Sequence, residues 1–576
     1  MSKVIAVRDL SVEVLTGDGP HTVVDGLSFD VDAGETLSII GESGSGKSVA
    51  MQAILGLAPT PPLKVTSGTA VFEGHDLLAL REAELCRIRG NRIGFIFQEP
   101  MSALNPMMTV GDQIAEVIRV HRGASRRRAR DEAVRLIERV RIPDAANRAG
   151  FYPAALSGGM RQRVVIAAAL ACKPALVVAD EPTTALDATV QAEILGLLLE
   201  LRSEVGCAVV FITHDMAVVR RIADRVLVMR SGKAMETGRT AELLDRPRTD
   251  YTRALIKAAR PAASQRDVVK RGEGAPPLSV KDLIVSYPVG QSLFSARQAG
   301  RLFAVDGVSL DVGHGETLAL VGESGSGKTT LARAVMGLVA PEAGSLRVAG
   351  VDIAQSRRKA DRLVQFIFQD PQSSLDPRYR AWQAVTEPLH IAGKRKGLKE
   401  IAAGLLVQVG LGEEHLDRLP HELSGGQRQR LGIARALSIG PRLVIADEAV
   451  SALDATTRLQ VLELFQQLQC DTGLPFLFIT HDFAVVSRVA HRVAVMRYGR
   501  LVEIGPTRSV LNAPQHPYTQ ALIAASEGGT QAVPAACGGH RIGPAGSQPA
   551  WSPMREIDEG HFFQEVHDGL SERCHD

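Results

Sequence analysis

Gly41-Glu42-Ser43-Gly44-Ser45-Gly46-Lys47-Ser48 packs three glycines, a lysine and a terminal hydroxyl into eight residues directly after the apolar run Thr36–Ile40. Glycine lets backbone N–H groups wrap phosphate oxygens closely, and a helix opening at the lysine adds its positive end. Lys47 then reaches β- and γ-phosphates, and the Ser48 hydroxyl binds Mg²⁺. Gly322-Glu323-Ser324-Gly325-Ser326-Gly327-Lys328-Thr329 repeats the pattern after Thr317–Val321, with Lys328 and Thr329 in the same roles. One glycine-rich turn is weak evidence. Two, each between an apolar run and a helical stretch, are specific.

A second set of residues supplies acids. Ala175–Glu181 (ALVVADE) and Arg442–Glu448 (RLVIADE) are apolar runs ending in paired carboxylates. Asp180 and Asp447 suit Mg²⁺, mostly through water. Glu181 and Glu448 suit a base that polarises an attacking water. His214 and His481 close two further apolar runs, each as Ile-Thr-His-Asp.

Elements that position these groups follow from the pattern. Thr36–Ile40, Ala175–Ala179 and Cys207–Ile212 are nearly continuous apolar runs, repeated as Thr317–Val321, Arg442–Ala446 and Leu474–Ile479. Strands without polar alternation are buried on both faces, which predicts a parallel sheet covered by helices. The fold class is α/β, twice. Ser157 to Ser424, Asp180 to Asp447 and His214 to His481 are each 267 residues apart, so no net insertion separates the copies there. Lys47 to Lys328 is 281 and Gln98 to Gln369 is 271, placing shorter loops in the second copy. A period this long is a domain duplication.

The boundaries read as a first domain over 1–260, a linker over 261–277, a second domain over 278–526 and a loosely ordered tail over 527–576. The Pro-, Gly- and charge-rich linker segment, fully extended, spans roughly 60 Å. At 576 residues the chain exceeds one ordinary core. A net charge of +2 and 4% aromatics argue against a dedicated nucleic-acid binder. Six cysteines exclude a disulfide-stapled secreted framework. Cys172 and Cys207 align with Ile439 and Leu474 and read as apolar filling. The longest apolar stretch near the middle, Val164–Cys172, falls short of the roughly 20 residues that span a bilayer, and MSKVIAVRDLSVEV holds no apolar signal core. The basic run Arg126–Arg130 reads as a solvated helix face.

With Leu-Ser-Gly-Gly at 156–159 and 423–426, then Ala-Asp-Glu, Ala-Leu-Asp and Thr-His-Asp in both halves, the chain resembles the ABC ATPase domains, over about 4–260 and 278–526. The resemblance implies two P-loop NTPase domains in tandem, each a mainly parallel sheet with helices plus a helical subdomain. They pair head to tail within one chain and sandwich two ATP molecules with Mg²⁺. Each site joins one phosphate loop to the other half's signature. Lys47 goes with Ser424, Gly425, Gly426 and Gln427, and Lys328 with Ser157, Gly158 and Gly159. At a helix start, bare N–H groups and the helix dipole face a γ-phosphate. An ordinary cap is the plainer reading, and Ser424 and Gln427 have capping-box spacing. The resemblance also implies that Gln98 and Gln369 touch Mg²⁺ and the water, that His214 and His481 contact the γ-phosphate, and that Asp187 and Asp454 signal across the interface. Tyr287 fits the residue on which adenine stacks. Val14 stands in its place in the first copy, and Ala449 replaces the proline seen at Pro182.

Pro514–Ile523 (PQHPYTQALI) and, more weakly, Arg246–Leu255 (RPRTDYTRAL) resemble the extension of the oligopeptide, dipeptide, nickel and glutathione importers. That branch implies two separate transmembrane permease subunits, a periplasmic or extracellular substrate-binding protein, and a peripheral place on the cytoplasmic face of the inner membrane. Cys537 and Cys574 are too few for the four-thiolate iron–sulfur cluster of some relatives, so none is expected. The competing class, a soluble tandem ATPase acting on ribosomes or nucleic acid, calls for a longer, strongly charged inter-domain helix.

Overall fold

The computed structural model describes residues 3–16, 19–42, 44–183, 187–259, 275–289, 300–353, 362–370, 374–451, 453–526, 540–543, 554–558 and 560–564. Ser43, Cys537, Cys574 and most of the linker at 261–277 lie outside them.

In the first copy the core sheet runs Lys233–Arg239, Arg225–Arg230, Thr36–Ile40, Ala208–Ile212, Leu176–Asp180, Ile93–Ile96. All neighbours pair in parallel except Lys233–Arg239, an antiparallel edge. Every residue of Thr36–Ile40 and Leu176–Asp180 is buried, as their unbroken apolar character requires. This order lays the ends of Thr36–Ile40, Ala208–Ile212 and Leu176–Asp180 side by side. The phosphate loop, His214 and the paired acids therefore leave the sheet at one carboxyl edge.

A second, antiparallel sheet of Lys3–Thr16, Gly19–Asp32, Leu63–Phe72 and His75–Asp76 was not legible as such in the sequence. Ile5, Val7, Leu10 and Val12 on its inner face pack against Leu37 and Ile39 of the core sheet and against Ala50 and Met51 of the helix Lys47–Ile54. The helical subdomain is built from Val110–Arg122, Arg126–Arg139 and Gly158–Leu170, joined through Ile114, Ile118, Ile137 and Val164. Helix Arg126–Arg139 starts where the Ser125 hydroxyl accepts the Arg128 N–H, and buries Ala129, Ala133 and Ile137 at helical spacing. Arg126, Arg127 and Arg128 are exposed, so the basic run is the solvated face.

The second copy repeats both sheets and the helices Ala381–Ile391, Leu398–Gln408 and Gly425–Leu437. It differs at its edges. The expectation of a loosely ordered tail does not hold for the described part. Ile542–Gly543 pairs with Gly300–Val312 in the antiparallel sheet. The hairpin Met554–Asp558 and His561–Gln564 pairs onto Arg500–Pro506 at the edge of the core sheet. Lys233–Arg239, the equivalent edge of the first copy, is mostly exposed, whereas Arg500–Pro506 is mostly buried.

That difference is sharpest at one matched pair of aspartates. Asp25 is half exposed and pairs with Lys233 at 3.1 Å. The Asp306 side chain is 0% exposed and pairs with Arg500 at 3.4 Å and Arg541 of the tail at 2.6 Å. Breaking a buried pair strands its partner's charge, which costs about 3–5 kcal/mol, whereas an exposed pair is worth about 0–1 kcal/mol. Asp306→Asn should lower the urea-unfolding free energy by about the former amount and Asp25→Asn by no more than the latter. Equal losses from the two variants would show that the tail contact carries no weight in stability.

Candidate active sites

Both phosphate loops close on their own lysines. Lys47 Nζ donates to Gly41 O at 2.9 Å, Glu42 O at 2.8 Å and Ser45 Oγ at 3.3 Å. Lys328 Nζ donates to Gly322 O and Glu323 O, each at 2.7 Å, and to Ser326 Oγ at 3.3 Å. Burial pushes both ammonium groups below their ordinary pKa, and the surrounding carboxylates pull them back up. Gly46 and Gly327 sit in the left-handed region at φ 93° and 105°. A Cβ there would lie 2.6 Å from Val23 O and 2.1 Å from Ala304 O, so both torsion and space demand glycine.

Acids, glutamine and histidine form one cluster in each copy. Ser48 Oγ donates to Asp180 Oδ1 at 2.7 Å, and the Thr329 hydroxyl bonds Asp447. Gln98 Nε2 donates to Glu181 Oε2 at 3.0 Å, and Gln369 Nε2 to Glu448 Oε2 at 2.6 Å. His214 Nδ1 lies 3.2 Å from Glu181 Oε1, and His481 Nδ1 3.2 Å from Glu448 Oε1. Glu181 and Glu448 adopt φ 44° and 47°, an uncommon torsion for a side-chain-bearing residue. Their N–H groups donate to Ile212 O and Ile479 O, which fixes that turn. Burial, then the adjacent Glu448 carboxylate, push Asp447 up to about 6. Burial also raises Asp180. Glu448 moves the other way: burial pushes it up, but its bond to His481 and the nearby charges hold it below the usual carboxylate range. Each cluster sets a hydroxyl and a carboxylate, buried at Asp180 and half-buried at Asp447, with a glutamine amide beside a lysine, and their oxygens are donors of the kind a hard divalent cation takes.

The signature serines cap helices. Ser157 Oγ accepts the Met160 N–H, and Ser424 Oγ the Gln427 N–H, each at 3.3 Å. The Ser424 N–H in turn donates to Gln427 Oε1 at 2.9 Å, so the capping box is present in the second copy. Gly159 packs so closely that a Cβ would lie 2.7 Å from Val190 Cγ1, and at Gly426 one would lie 2.3 Å from Thr457 Cγ2. Val190 and Thr457 lie in the first turns of Ala188–Val205 and Ala455–Thr472, capped by Asp187 and Asp454. The same turns meet the opposite copy. Thr456 Oγ1 donates to Glu42 Oε1 at 2.9 Å, and Thr189 bonds the Glu323 carboxyl. Asp454 acts electrostatically on Lys47, and Asp187 on Lys328. Each helix start thus has one copy's Ser-Gly-Gly on one side and the other copy's phosphate loop on the other.

Tyr287 is 36% exposed on the strand Leu278–Val289, opposite Leu302. Val14 is partly buried against the first core and faces His21 across the strand pair.

Two tyrosines were missed as site residues. The Tyr518 hydroxyl accepts the Glu323 N–H at 3.0 Å, and the Tyr251 hydroxyl the Glu42 N–H at 3.2 Å. Tyr518 is fully buried, with Arg497 over its ring at 4.4 Å, and Arg230 lies over Tyr251 at 4.8 Å. Their helices, Asp250–Ala259 and Pro517–Ser526, pack on Ala455–Thr472 and Ala188–Val205 of the opposite copies. The signal was the repeated Tyr-Thr-x-Ala-Leu, 267 residues apart. Its partner, a backbone N–H, leaves no trace in sequence.

Comparison with known proteins agrees with this architecture. The ABC transporter family matches residues 24–184 and 305–451. The oligopeptide/dipeptide transporter C-terminal region matches 235–284 and 502–531, which include both tyrosines. The chain is 46% identical to the glutathione import ATP-binding protein GsiA of Escherichia coli O157:H7, over 91% of this chain and 89% of that protein. It is 43% identical to the protein of the same name from Pectobacterium atrosepticum, over 97% and 96%. A solved dimeric ATP-binding cassette in a post-hydrolysis state, bound to ADP and Pi, is 31% identical and covers 41% of this chain and 98% of its own, with a TM-score of 0.38. With two matched cassettes, each followed by that C-terminal region, the chain belongs to the ABC transporter family as a tandem ATP-hydrolysing subunit of its oligopeptide/dipeptide branch.

Proposed function

We propose that this chain powers import of a small peptide of the glutathione type through separate permease subunits, with two composite ATP sites inside one polypeptide. The observation that carries it is the twofold cluster Gln98–Glu181–His214 and Gln369–Glu448–His481 beside a phosphate loop. One site joins Lys47, Glu181 and His214 to Ser424, Gly425 and Gly426. The other joins Lys328, Glu448 and His481 to Ser157, Gly158 and Gly159. The shared helix starts support these pairings. Ser48, Asp180 and Gln98, or Thr329, Asp447 and Gln369, would hold Mg²⁺, which when bound neutralises phosphate charge. Glu181 and Glu448 accept a proton from the attacking water. Their histidine and glutamine bonds aim the carboxylates, and Tyr251 and Tyr518 steady the loops.

Permease docking is supported by apolar side chains left in water beyond Gln98. Met107 is 82% exposed and Met101 47%, Phe97 precedes Gln98, and exposed Phe151 and Tyr152 are brought in from later in the chain, where Phe151 O accepts the Val110 N–H at 2.9 Å. No helix among the described residues is long and apolar enough to cross a membrane, so the pathway falls to other subunits. The reading places the protein on the cytoplasmic face of the inner membrane, fed by a substrate-binding protein. The glutathione-type substrate rests on the relatives' names. Reconstitution with permeases and binding protein tests it: glutathione should stimulate ATP hydrolysis, and stimulation only by unrelated solutes would refute that substrate class.

Glutamine copies glutamate's shape without its basicity. Glu448→Gln should therefore retain ATP while hydrolysis at the altered site falls about 10²–10⁴-fold, and the closed, ATP-loaded form should accumulate. Near wild-type turnover in this variant would remove Glu448 from the mechanism.

The adenine positions differ. Opposed residues on an antiparallel pair share a face, so the first site presents His21 beside Val14 where the second presents Tyr287. Stacking on an aromatic ring is worth roughly 1–3 kcal/mol per base. Nucleotide should bind more weakly at the Lys47 site than at the Lys328 site, and Val14→Tyr should narrow the gap. Titration of Lys47→Ala and Lys328→Ala proteins measures each site alone, and equal affinities would contradict the asymmetry.

A further inference from the structure

We propose that the described tail pieces, His540–Gly543 and the strands Met554–Asp558 and His561–Gln564, form a strap that positions the second phosphate loop, with His540 as its contact residue, so that the second nucleotide site depends on contacts that, among the described residues, the first site lacks. The inference rests on the reading of both loops as ATP sites.

The strap is anchored at two places. At the first, Leu302 pairs with Ile542, and Phe303 N donates to Arg541 O at 2.9 Å. The Arg541 guanidinium lies 3.5 Å over the Phe303 ring and donates to the buried Asp306 carboxylate at 2.6–3.1 Å. Asp306 continues inward: its N–H donates to Gly499 O, and Gly499 N–H donates to Ser326 O in the phosphate loop, each at 2.8 Å. At the second, His561 Nε2 lies 2.8 Å from Glu503 Oε1, with both side chains buried. Glu503 also accepts the N–H groups of Gln515 at 2.9 Å and His516 at 3.0 Å, at the head of the helix whose Tyr518 holds Glu323 N–H. The strap therefore grips the structure around the loop on two sides.

His540 touches the loop itself. Its Nε2 lies 2.6 Å from Gly325 O and its Nδ1 3.0 Å from Phe303 O. Both partners are carbonyl oxygens and can only accept, so the two bonds coexist when both ring nitrogens donate. The peptide between Gly325 and Ser326 is planar. Ser326 N–H donates to Glu323 O at 3.1 Å, and Gly325 O is held by His540, so the plane is pinned at both edges. This plane lies just before Gly327 and Lys328, in a loop whose glycines do not hold a shape unaided. In the first copy Ser45 N–H makes the same bond to Glu42 O, but among the described residues no side chain is bonded to Gly44 O. Arg248 and Thr249 N–H groups reach Glu236 there as Gln515 and His516 reach Glu503, and among the described residues no hairpin pairs onto the strand carrying Glu236.

A hydrogen bond that preorganises the loop should appear in nucleotide affinity. In the full-length chain, His540→Ala is combined with Lys47→Ala, so that ATP binding by calorimetry reports the Lys328 site, and separately with Lys328→Ala for the other. The expected result is an ATP Kd about three- to tenfold higher at the Lys328 site, with the Lys47 site and the melting temperature without nucleotide unchanged. His540→Lys, which restores a donor able to meet two carbonyls, should recover most of the loss. Arg541→Ala, which frees the anchor, should weaken the Lys328 site in the same direction while also lowering the melting temperature. Unchanged affinity at the Lys328 site in both His540→Ala and Arg541→Ala, or equal weakening at both sites, overturns the proposal. Failure of the unsubstituted protein to bind ATP at either loop would instead sink the ATPase reading on which it rests.

Discussion

A loop that offers bare backbone N–H groups to phosphate is built from glycine, and glycine brings no shape of its own. Its shape must come from what surrounds it. Here the enclosure is tight: side chains at Gly46 or Gly327 would run into carbonyl oxygens of the antiparallel sheet. That explains why a second sheet, carrying none of the reacting groups, packs across the core sheet in both copies. It also explains why Tyr251 and Tyr518, far along the chain, spend buried hydroxyls on the second residue of each loop. A buried hydroxyl without a partner is costly, and so the tyrosine holds the loop as firmly as the loop satisfies the tyrosine.

The same constraint governs the charges. Burial disfavours the ammonium groups of Lys47 and Lys328, yet the carbonyl oxygens that accept their N–H bonds and the adjacent carboxylates keep them supported. Those carboxylates are disfavoured by burial in turn, as the raised Asp180 and Asp447 show. The support is drawn across the chain's two halves: Asp454 contributes to Lys47 and Asp187 to Lys328. Separating the halves would therefore leave each lysine with less compensation. Domain pairing and loop electrostatics are one problem.

What the sequence made legible follows the range of the interactions. Core strands were readable because burial on both faces leaves an unbroken apolar run, as in Thr36–Ile40. The clusters were readable because each group sits at a fixed step from a strand end, and Glu181, Gln98 and His214 do meet. The antiparallel sheet was hidden because bulges between Val7 and Leu10 and between Leu10 and Val12 break its alternation. His21 was overlooked because its nearness to Val14 exists only once the register is known. The described strands of the tail were missed because they are short and pair with edges far away in sequence. Ile542 meets Leu302, and Phe563 meets Glu503. No local pattern announces such pairing.

Duplication within one polypeptide gives these differences their meaning. In a dimer of identical chains, any change to a loop's surroundings appears at both sites. Here each site has its own surroundings, and the chemistry has stayed alike while the enclosure has not. Glu181 and Glu448 share a torsion and the same two partners, whereas Asp25 stands half in water and its counterpart Asp306 lies buried beneath Arg541. A single tail can cover only one of two equivalent edges. Once it is packed on Arg500–Pro506 and bonded to Gly325, the twofold symmetry of the motifs no longer implies a twofold symmetry of the sites. The reacting groups are constrained by the reaction. The enclosure is constrained only by the need to hold a glycine loop still, and that need can be met in more than one way.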